Sequence, residues 1–599
     1  METSLNKNII NKENKEEKIS VLKLFWSMMT YKKGLYAWNC FLWILIHVEP
    51  LLLGVLFKEF FDVLNHGEKF AFNLSEVVLG MLLYAVMRVA NIYVGAKVDN
   101  LHRFIMSGLI RRNIFESILE KPGAQAIPCS SGEALNSFRD DAEMIEDSIS
   151  WTLDFIGNVV FALVAIFILM SINVRITLVV FTPLVAVVAV VQMLSSKLQK
   201  YRRDAREATG LVTGAMGEIF SSVQAIKVAG EEGNVINYID GLNKNRHKFM
   251  VKDKLLMQLL DSIFYNTVSL GTGFILLLAA ALMRNGALTV GELSLFIYYL
   301  NFVADFTSFF GEFIAHNRQA KIAFKRMADL MQKPKAEEVV KHNPLYIYAE
   351  NMKKEDKENA NYEPLESMEI KNLSYKYNSS DNGIDNINFS MKKGSFTVIT
   401  GRVGSGKSTL IKAIIGLLTT DSGGVYWNGK LVEKPQDFFA SPHSAYTPQI
   451  PNLVSDSIKN NILFGLEENA EKLQEAIYSS VMDEDIKELE NGMDTIIGPK
   501  GMKLSGGQIQ RVAAARMFLR KADLMVFDDI SSALDVATEN KLWSRIFEKS
   551  KATCLVVSNK KTALKQADQI IVMKDGKIYA KGSLEELLES CDELQAIWG

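Results

Sequence analysis

The sequence predicts a multi-domain chain in which an all-α domain with six membrane-spanning helices is followed by an α/β domain. Three observations predict this architecture. Six apolar runs of bilayer-spanning length lie in the first half of the chain. From Met368 onward, short β-rich runs alternate with helical ones. A glycine-rich motif separates one of these strands from the helix that follows it, and 599 residues are too many for one core.

The composition limits the class of protein. The net charge of −2 argues against a nucleic-acid-binding protein that uses a basic face. The mean hydropathy of +0.07 conceals an apolar first half and an ordinary second half. The four cysteines are scattered, without the spacing of a metal site or a disulfide framework, so we expect free thiols on a reducing side of the membrane. They are Cys40, Cys129, Cys554 and Cys591.

The chain begins with a polar, charged segment. Residues 1–19 predict a disordered cytoplasmic tail rather than a signal peptide. A short amphipathic stretch follows and ends at Lys32 and Lys33. It fits either an interfacial helix on the inner leaflet or the first turn of the next helix, and the sequence leaves both open.

The six predicted spans lie near residues 35–57, 75–96, 150–171, 175–195, 262–283 and 292–314. The loops after the second and fourth spans are long, helix-compatible and rich in Lys and Arg, whereas the opposite loops are short. This positive-inside bias predicts that the long loops, both termini and the α/β domain are cytoplasmic. A helical arm of each long loop could reach roughly 35–40 Å below the bilayer. Residues 121–123 and 210–217 offer turns for the arm tips.

Some residues of the spans are polar or aromatic. His47, Glu49 and Arg88 are ionisable, and such groups usually face a partner or a cavity. A structural Glu49–Arg88 pair and contact with a polar or charged substrate are both open. The aromatic residues of the sixth span fit helix packing, or a pathway for a bulky amphipathic or apolar cargo. They are Phe296, Tyr298, Tyr299, Phe302, Phe306, Phe309, Phe310 and Phe313.

We therefore divide the chain into the tail, a transmembrane domain at 20–332, a linker at 333–367 and an α/β domain at 368–599. The linker is charged and lacks an apolar period, so we expect it to be flexible.

The glycine-rich motif has the pattern G-x-x-x-x-G-K-[ST] at residues 401–408, between an apolar strand at 396–399 and a helix at 409–415. Glycines let successive backbone N–H groups turn towards phosphate oxygens, and the helix N-terminus adds positive potential. Lys407 can then reach the β- and γ-phosphates, while Ser408 is placed for Mg²⁺. Tyr377, about 30 residues earlier, could stack on adenine.

Further motifs follow in order. They are Thr-Pro-Gln at 447–449, Leu-Ser-Gly-Gly-Gln at 504–508, an apolar strand at 524–527 that ends in Asp528 and Asp529, and Ser-Ala-Leu-Asp at 532–535. With these motifs the chain resembles an exporter-type half-transporter of the ATP-binding-cassette (ABC) superfamily, with six spans fused ahead of one cassette. The resemblance covers residues 20–599 apart from the linker. The segment 504–508 matches the signature sequence of that superfamily.

The resemblance implies roles for individual residues. Tyr377 would stack on adenine, and the phosphate loop would be Gly401, Arg402, Val403, Gly404, Ser405, Gly406, Lys407, Ser408 and Thr409. Ser408, Gln449 and Asp528 would hold Mg²⁺. Gln449, Asp529 and Asn559 would serve hydrolysis, with Gln449 touching the attacking water and signalling to the membrane arms. Ser505, Gly506, Gly507 and Gln508 would close over the γ-phosphate of ATP bound by a second cassette, so the resemblance implies a dimer.

Three positions depart from the family pattern. Asp529 stands where the family has a glutamate, and its shorter side chain withdraws the carboxylate by about 1.5 Å. A catalytic group misplaced by about 1 Å can lower the rate roughly a hundredfold. Asn559 stands where the family has a histidine, and asparagine cannot carry positive charge. Pro499 replaces a common glutamate. This combination resembles the degenerate half of a heterodimeric exporter, and a homodimer stays open.

The resemblance implies a multi-pass protein of the cell membrane that exports a hydrophobic or amphipathic substrate, such as a lipid, a peptide or a drug-like compound, by ATP-driven alternating access. Its expected partners are a second half-transporter and the bilayer, with no nucleic acid. Phe464 and the surface around Gln449 are expected to receive the arm tips. The alternative is a nucleotide-gated channel or regulator with little hydrolysis. An importer fits the fused order and the long arms less well, and six spans exclude a soluble ATPase.

Overall fold

The computed structural model describes residues 20–66, 73–123, 126–284, 287–333, 335–345, 362–377, 382–498, 501, 503–530, 533–549 and 552–599. The predicted tail, residues 334 and 346–361 of the predicted linker, and Pro499 therefore lie outside the described residues. The chain forms two compact units. The first comprises Met1–Glu116 and Cys129–Leu345, and the second comprises Ser117–Pro128 and Tyr346–Gly599.

The first unit is all-α. Its helices are α1 (Val21–Tyr31), α2 (Lys33–His66), α3 (Leu74–Leu119), α4 (Ser131–Asn136), α5 (Ala142–Ile172), α6 (Val174–Ser221), α7 (Val223–Ala229), α8 (Glu232–Arg284) and α9 (Val290–Leu330), with a π-helical turn at Ser137–Asp141. Each predicted span lies inside one long helix. Helices α3, α6 and α8 have 46, 48 and 53 residues, more than twice the roughly 20 that a bilayer requires. The excess length forms the predicted helical arms.

Three segments of the described residues are long and apolar enough to cross a membrane, namely Lys33–Asn65, Leu74–Leu119 and Ser131–Ile172. Two shorter apolar segments, Thr272–Arg284 and Val290–Leu300, lie in the fifth and sixth predicted spans.

Helix α1 is separate from α2, so the amphipathic stretch is a helix of its own rather than the first turn of the next helix. Leu24, Phe25 and Met28 are buried, whereas Leu22 and Trp26 are exposed. The helix thus buries one apolar face in the unit and presents other apolar side chains outward, as an interfacial helix does.

The described aromatic residues of the sixth span take part in helix packing. Phe296 and Tyr299 are fully buried, and the Tyr299 hydroxyl donates to the Leu51 carbonyl oxygen at 2.6 Å. Phe313 stacks on Phe155 with ring centroids 4.6 Å apart. The side chain of Phe306 lies outside the described set. The packing interpretation is confirmed for these described positions.

Two sequence expectations are wrong. Residues 210–217 do not form a turn but lie within α6, because isolated glycines lower helix stability by only about 1 kcal/mol each. The chain turns instead at Ser222 and at Gly230, which has a φ of 67°. The linker is also shorter than predicted. Residues 335–345 pack on the first unit through a 3₁₀ helix, Ala336–Val340, in which Val339 and Val340 are buried.

The second unit contains two sheets. Its strands are β1 (Ser367–Lys376), β2 (Gly383–Lys392), β3 (Phe396–Gly401), β4 (Ser422–Trp427), β5 (Lys430–Leu431), β6 (Ser444–Thr447), β7 (Leu524–Asp528), β8 (Thr553–Val557), β9 (Gln569–Lys574) and β10 (Lys577–Gly582). Its helices are α10 (Lys407–Ile414), α11 (Pro435–Phe438), α12 (Ile458–Leu463), α13 (Ala470–Ser479), α14 (Asp485–Glu488), α15 (Gly506–Leu519), α16 (Val536–Lys549), α17 (Lys561–Lys565), α18 (Leu584–Ser590) and α19 (Asp592–Trp598).

The larger sheet has the order β10-β9-β3-β8-β7-β6, and β9, β3, β8, β7 and β6 are parallel neighbours. Strands β3, β7 and β8 are buried along their whole length, as expected of central parallel strands covered on both faces. The smaller, antiparallel sheet has the order β2-β1-β4-β5. Because parallel strands present their carboxyl ends at one edge, the residues after β3, β6, β7 and β8 converge there.

Candidate nucleotide-binding site

The phosphate loop joins β3 to α10. Gly401, Gly404 and Gly406 have φ values of 146°, 84° and 97°, a region that L-residues rarely adopt. A Cβ on Gly401 would lie 2.3 Å from the Met573 carbonyl oxygen, so no larger residue fits. The Ser405 hydroxyl is buried and has no hydrogen-bond partner among the described residues. The loop is therefore a tight backbone turn at a helix N-terminus, the geometry that binds phosphate.

Lys407 lies across this loop. Its Nζ donates to the carbonyl oxygens of Gly401 and Arg402 at 2.7 and 2.8 Å. Burial lowers the pKa of Lys407, while Asp529 and Asp528 oppose that shift. The carboxylates of Asp528 and Asp529 lie at some distance from the buried Lys407 ammonium. A phosphate bound in the loop would give this ammonium an anionic partner in direct contact.

Ser408 and Asp528 form the predicted metal side of the site. The Ser408 hydroxyl donates to Asp528 Oδ1 at 2.9 Å, and the Tyr446 hydroxyl reaches Asp528 Oδ2 at 3.5 Å. Hydroxyl and carboxylate oxygens suit Mg²⁺, which keeps several waters and binds through one or two protein groups plus phosphate. No group of three His, Cys, Asp or Glu side chains in the described ranges could hold a metal ion. The donor set fits a cation that arrives with a nucleotide.

Asp529 follows Asp528 and turns away from the strand. It has a φ of 52°, and its backbone N–H donates to the Val557 carbonyl oxygen at 3.1 Å. Gln449 Nε2 lies 3.4 Å from Asp529 Oδ2. Burial raises the pKa of the Asp529 carboxyl, and the neighbouring Asp528 adds to the rise. The structure thus brings Gln449 and Asp529 together, as the predicted roles require.

Asn559 lies beyond the end of β8, next to the phosphate-loop strand. Its Oδ1 accepts a hydrogen bond from the Thr400 hydroxyl at 2.9 Å. The amide Nδ2 is then the donor that Asn559 can offer. The next residue, Lys560, pairs with the buried Glu539 at 3.2 Å. Asn559 is therefore held beside the site by a neutral hydrogen bond rather than by charge.

Tyr377 and Thr409 also meet. Their hydroxyl oxygens are 3.2 Å apart, and the Tyr377 ring contacts Tyr375 edge-on with centroids 5.0 Å apart. The aromatic ring predicted for adenine thus lies next to the end of the phosphate loop and keeps 38% of its surface exposed.

The signature residues form the start of α15. Ser505 caps the helix by accepting from the Gln508 backbone N–H, and Gln508 Oε1 accepts from the Ser505 backbone N–H in return. Gln508 Nε2 donates to Asp485 at 2.9 Å. These hydrogen bonds stay within the helix cap and its neighbour rather than reaching the phosphate loop. Gly506 and Gly507 pack against Ala533.

Sequence reasoning missed two contacts of the site. Glu593, in α19, pairs with Arg402 of the phosphate loop at 2.8 Å and with Lys574 at 2.7 Å. Gln510 joins the Gln449 carbonyl oxygen to the Ala533 backbone N–H, both at 3.3 Å. Glu593 lies 191 residues after Arg402 in the chain, so no local pattern could reveal the first contact. Gln510 lies two residues after the signature, and its polarity on a buried helix face was an available signal.

The first arm tip belongs to this unit. A Cβ on Gly123 would lie 3.0 Å from a methyl carbon of Leu417, which follows α10. The segment Ser117–Pro128, which includes the predicted 121–123 turn, therefore contacts the α/β fold close to the helix that carries the phosphate loop. Phe464, predicted to receive an arm tip, is exposed, and its backbone is left-handed with φ 40°.

Comparison with known proteins agrees with this geometry. The family model described as "ABC transporter transmembrane region" matches residues 37–305, and the one described as "ABC transporter" matches residues 384–532. The second range contains the phosphate loop, the signature, Asp528 and Asp529, whereas Tyr377 and Asn559 lie outside it. Together the two ranges cover more than half of the chain.

Individual relatives span most of the chain. An ATP-dependent lipid A-core flippase of Salmonella typhimurium is 26% identical over 80% of this chain and 80% of its own. ABC transporter B family member 1 of Dictyostelium discoideum is 26% identical over 81% of this chain and 52% of its own. A solved structure of a bacterial Atm1-family ABC exporter with ATP bound matches with a TM-score of 0.76 and 19% identity, over 95% of this chain and 98% of that one.

Proposed function

Because this chain belongs to the ABC transporter family, as an exporter-type half-transporter whose cassette is a transport-coupled ATPase, we propose that it exports a hydrophobic or amphipathic substrate across the cytoplasmic membrane by alternating access. It acts as one half of a dimer and supplies the degenerate ATP site of a heterodimer. The observation that carries this proposal is the meeting of an intact phosphate loop with Asp529 and Asn559 at one sheet edge.

Nucleotide binding rests on residues already in place. The Lys407 ammonium would leave the carbonyl oxygens of Gly401 and Arg402 and bind the phosphates. The Tyr377 ring would stack on adenine. Ser408 and Asp528, with Gln449 nearby, would hold Mg²⁺, which would neutralise charge on the β- and γ-phosphates. The Arg402 side chain is 71% exposed and pairs with Glu593. We therefore assign Arg402 to holding the phosphate loop in place rather than to covering the nucleotide.

Hydrolysis is the weak step. Asp529 would orient the attacking water together with Gln449, but its carboxylate is one carbon short of the family glutamate. Asn559 donates a neutral hydrogen bond where the family offers a histidine. Electrostatic groups aimed at the transition state usually provide the largest part of catalysis. ATP held here therefore turns over slowly and acts mainly as a clamp between two cassettes.

The second cassette follows from the signature. Ser505 and Gln508 bond to each other, and Gln508 also donates to Asp485, which leaves Gly506 and Gly507 to close over a γ-phosphate held by another chain. A partner chain that has the family glutamate and histidine would then hydrolyse the ATP that the signature residues of this chain cover. The basic residues of the long loops between the predicted spans support a cytoplasmic position for the cassette and both termini.

The substrate proposal rests on the apolar spans. The name of one relative, a lipid A-core flippase, makes lipid a candidate beside peptides and drug-like compounds. A nucleotide-gated channel is the second candidate, favoured only by Asp529 and Asn559.

The test uses the full chain in nanodiscs, with fluorescent ATP binding and phosphate release measured on one sample. We expect tight Mg²⁺-dependent binding that Lys407→Ala weakens, and slow turnover. Fast turnover by the pure single chain, abolished by Lys407→Ala, would contradict the degenerate-site proposal. ATP-gated ion conductance without outward transport in vesicles would favour the channel instead.

A further inference from the structure

We propose that Asp485 is a positioning residue for the signature at 504–508. Its carboxylate orients the side chain of Gln508, and this orientation keeps the Ser505 hydroxyl ready to donate to the γ-phosphate of ATP on a second cassette. This inference rests on the proposed function, in which the signature covers ATP that another chain binds. Asp485 begins α14, 20 residues before Ser505 and outside the motifs of the cassette.

The carboxylate of Asp485 decides which way the Gln508 amide faces. Gln508 Nε2 donates to Asp485 Oδ1 at 2.9 Å. An ionised carboxylate can only accept, so the NH₂ end of the amide must face it. The other end, Gln508 Oε1, then faces the Ser505 backbone N–H and accepts from it at 2.9 Å. The opposite orientation would place the NH₂ group against this N–H, donor against donor.

This orientation determines what the Ser505 hydroxyl can do. Its oxygen accepts from the Gln508 backbone N–H at 3.3 Å and thereby caps α15. A hydroxyl group also carries one hydrogen, and none of the described residues accepts it. Ser505 is exposed at the N-terminus of a 14-residue helix, where the positive potential favours an anion. The hydroxyl hydrogen is therefore available to a phosphate oxygen on another chain.

Asp485 is itself held in place by Arg511 of α15. The two terminal nitrogens of Arg511 donate to Asp485 Oδ2 at 2.5 Å and to Oδ1 at 3.0 Å. The same guanidinium donates to the carbonyl oxygens of Val481 at 2.6 Å and Gly507 at 3.3 Å. The side chains of Arg511 and Asp485 are only 12% and 17% exposed. Because a bidentate pair fixes geometry as well as charge, the carboxylate presents a fixed acceptor to Gln508.

Asp483, two residues earlier, makes a similar ion pair away from the signature. It accepts from Arg545 of α16 at 2.7 Å, and the two side chains are 26% and 14% exposed. None of its contacts among the described residues reaches α15. The two aspartates thus fasten the same turn to different helices. A comparison of the two separates the effect of a stable turn from the effect of an oriented amide.

The test uses Asp485→Asn in the full chain, purified in nanodiscs in the assembly that the chain forms. Asparagine keeps the shape of the side chain, but one of its two polar atoms is a donor. It cannot accept from Gln508 and from both terminal nitrogens of Arg511 at once. We expect the Gln508 amide to turn in this variant, so that the Ser505 backbone N–H loses its acceptor and the cap of α15 opens.

The measurements are the affinities of the assembly for AMP-PNP and for ADP, each with Mg²⁺. AMP-PNP carries a γ-phosphate and ADP does not, so only AMP-PNP can contact the signature hydroxyl. We expect Asp485→Asn to weaken AMP-PNP binding roughly fivefold or more at the site that this signature covers, the effect of about one lost hydrogen bond. ADP binding should stay unchanged. Asp483→Asn is the matched control and should change neither affinity.

A second variant tests whether Asp485 acts through Gln508. Gln508→Leu keeps the pair of Asp485 with Arg511 and removes only the amide, so it should give the same selective loss even if Asp485→Asn folds poorly. In the Gln508→Leu background, Asp485→Asn should weaken AMP-PNP binding by less than about a further twofold. Thermal unfolding, and binding of fluorescent ATP to the single chain, report folding in every variant.

Three results would overturn the inference: equal losses of AMP-PNP and ADP affinity in either variant, equal effects of Asp485→Asn and Asp483→Asn, or additive losses in the double variant. Lys407→Ala in the same assembly tests the proposed function separately, since it should spare most turnover. If Lys407→Ala abolishes turnover while Asp485→Asn still weakens AMP-PNP binding alone, the degenerate-site proposal fails and this inference stands.

Discussion

Asp529 is where the chemistry of single residues can be tested most directly. Burial raises the pKa of its carboxyl above the ordinary value. The group therefore keeps its proton to higher pH, and the basic form is lost earlier as pH falls. We expect the slow ATP turnover to decline on the acid side at a pH above the ordinary aspartate range of about 4. Single-turnover hydrolysis across the acid range measures this, and an acid limb at the ordinary aspartate value would contradict it.

Restoring the family residues should restore turnover. Asp529→Glu returns the carboxylate by about 1.5 Å, and Asn559→His supplies a group that can be charged. We expect the double variant to hydrolyse ATP roughly ten to a hundred times faster than the wild type, with each single variant in between. Steady-state phosphate release by the purified chain is the measurement. The double variant combined with Lys407→Ala is the control, and unchanged turnover would show that another feature limits the rate.

Whether a site residue could be predicted from the sequence depends on whether a local pattern marks it. Lys407, Ser408, Asp528 and Gln449 could be predicted because phosphate and metal chemistry demands particular residues after particular strands. Glu593 could not, because an acidic residue in a terminal helix has no pattern that distinguishes it from a solvated one. Its partner Arg402 was predicted as a member of the loop, and only the fold reveals what holds it.

At the level of elements, hydrogen bonds hold the segment 335–345, which follows α9, against other helices of the first unit. Asn113 Nδ2 donates to the carbonyl oxygens of Val339 and Lys341 at 3.0 and 2.9 Å, and the Tyr31 hydroxyl donates to the Asn343 carbonyl oxygen at 3.0 Å. Asn113 is only 3% exposed, so truncating it leaves the buried Val339 carbonyl and the partly buried Lys341 carbonyl without this donor.

We expect Asn113→Ala to destabilise the membrane domain by about 1–3 kcal/mol and to speed tryptic cleavage after Lys341. Thermal unfolding in detergent and timed proteolysis measure the two effects. Asn100→Ala is the control, because the exposed Asn100 amide donates within its own helix, to the Ala96 carbonyl oxygen, and has no other partner among the described residues. Equal protection of Lys341 in both variants would show that the segment is held by other contacts.

Element prediction succeeded where a pattern is long. The spans and the buried strands follow from hydrophobic runs. The 210–217 turn failed because a helix many turns long tolerates three glycines that a short helix would not. The ordered part of the linker was missed because its stabilising groups, Tyr31 and Asn113, lie more than 200 residues earlier.

At the scale of the whole molecule, the two ATP sites should respond differently to mutations in this chain. A Cβ on Gly506 would meet Ala533 Cβ at an ordinary 3.6 Å, so a side chain at this position should not prevent folding. In the proposed dimer, Gly506→Asp would place a negative charge against the γ-phosphate held by the partner. In the purified two-chain complex we expect Gly506→Asp to lower turnover roughly tenfold or more, while Lys407→Ala lowers nucleotide binding but spares most turnover. Equal loss from both changes would indicate two equivalent sites, as in a homodimer.

The contact between Glu593 and Arg402 has a consequence for handling the protein. The helix Asp592–Trp598 contacts the phosphate loop through the pair of Glu593 with Arg402. Lys561, two residues beyond Asn559, lies over the Trp598 ring at 5.4 Å. Trimming that helix, or crowding it with a fused label, would release Arg402 and weaken ATP binding. Affinity tags are therefore better placed at the opposite terminus.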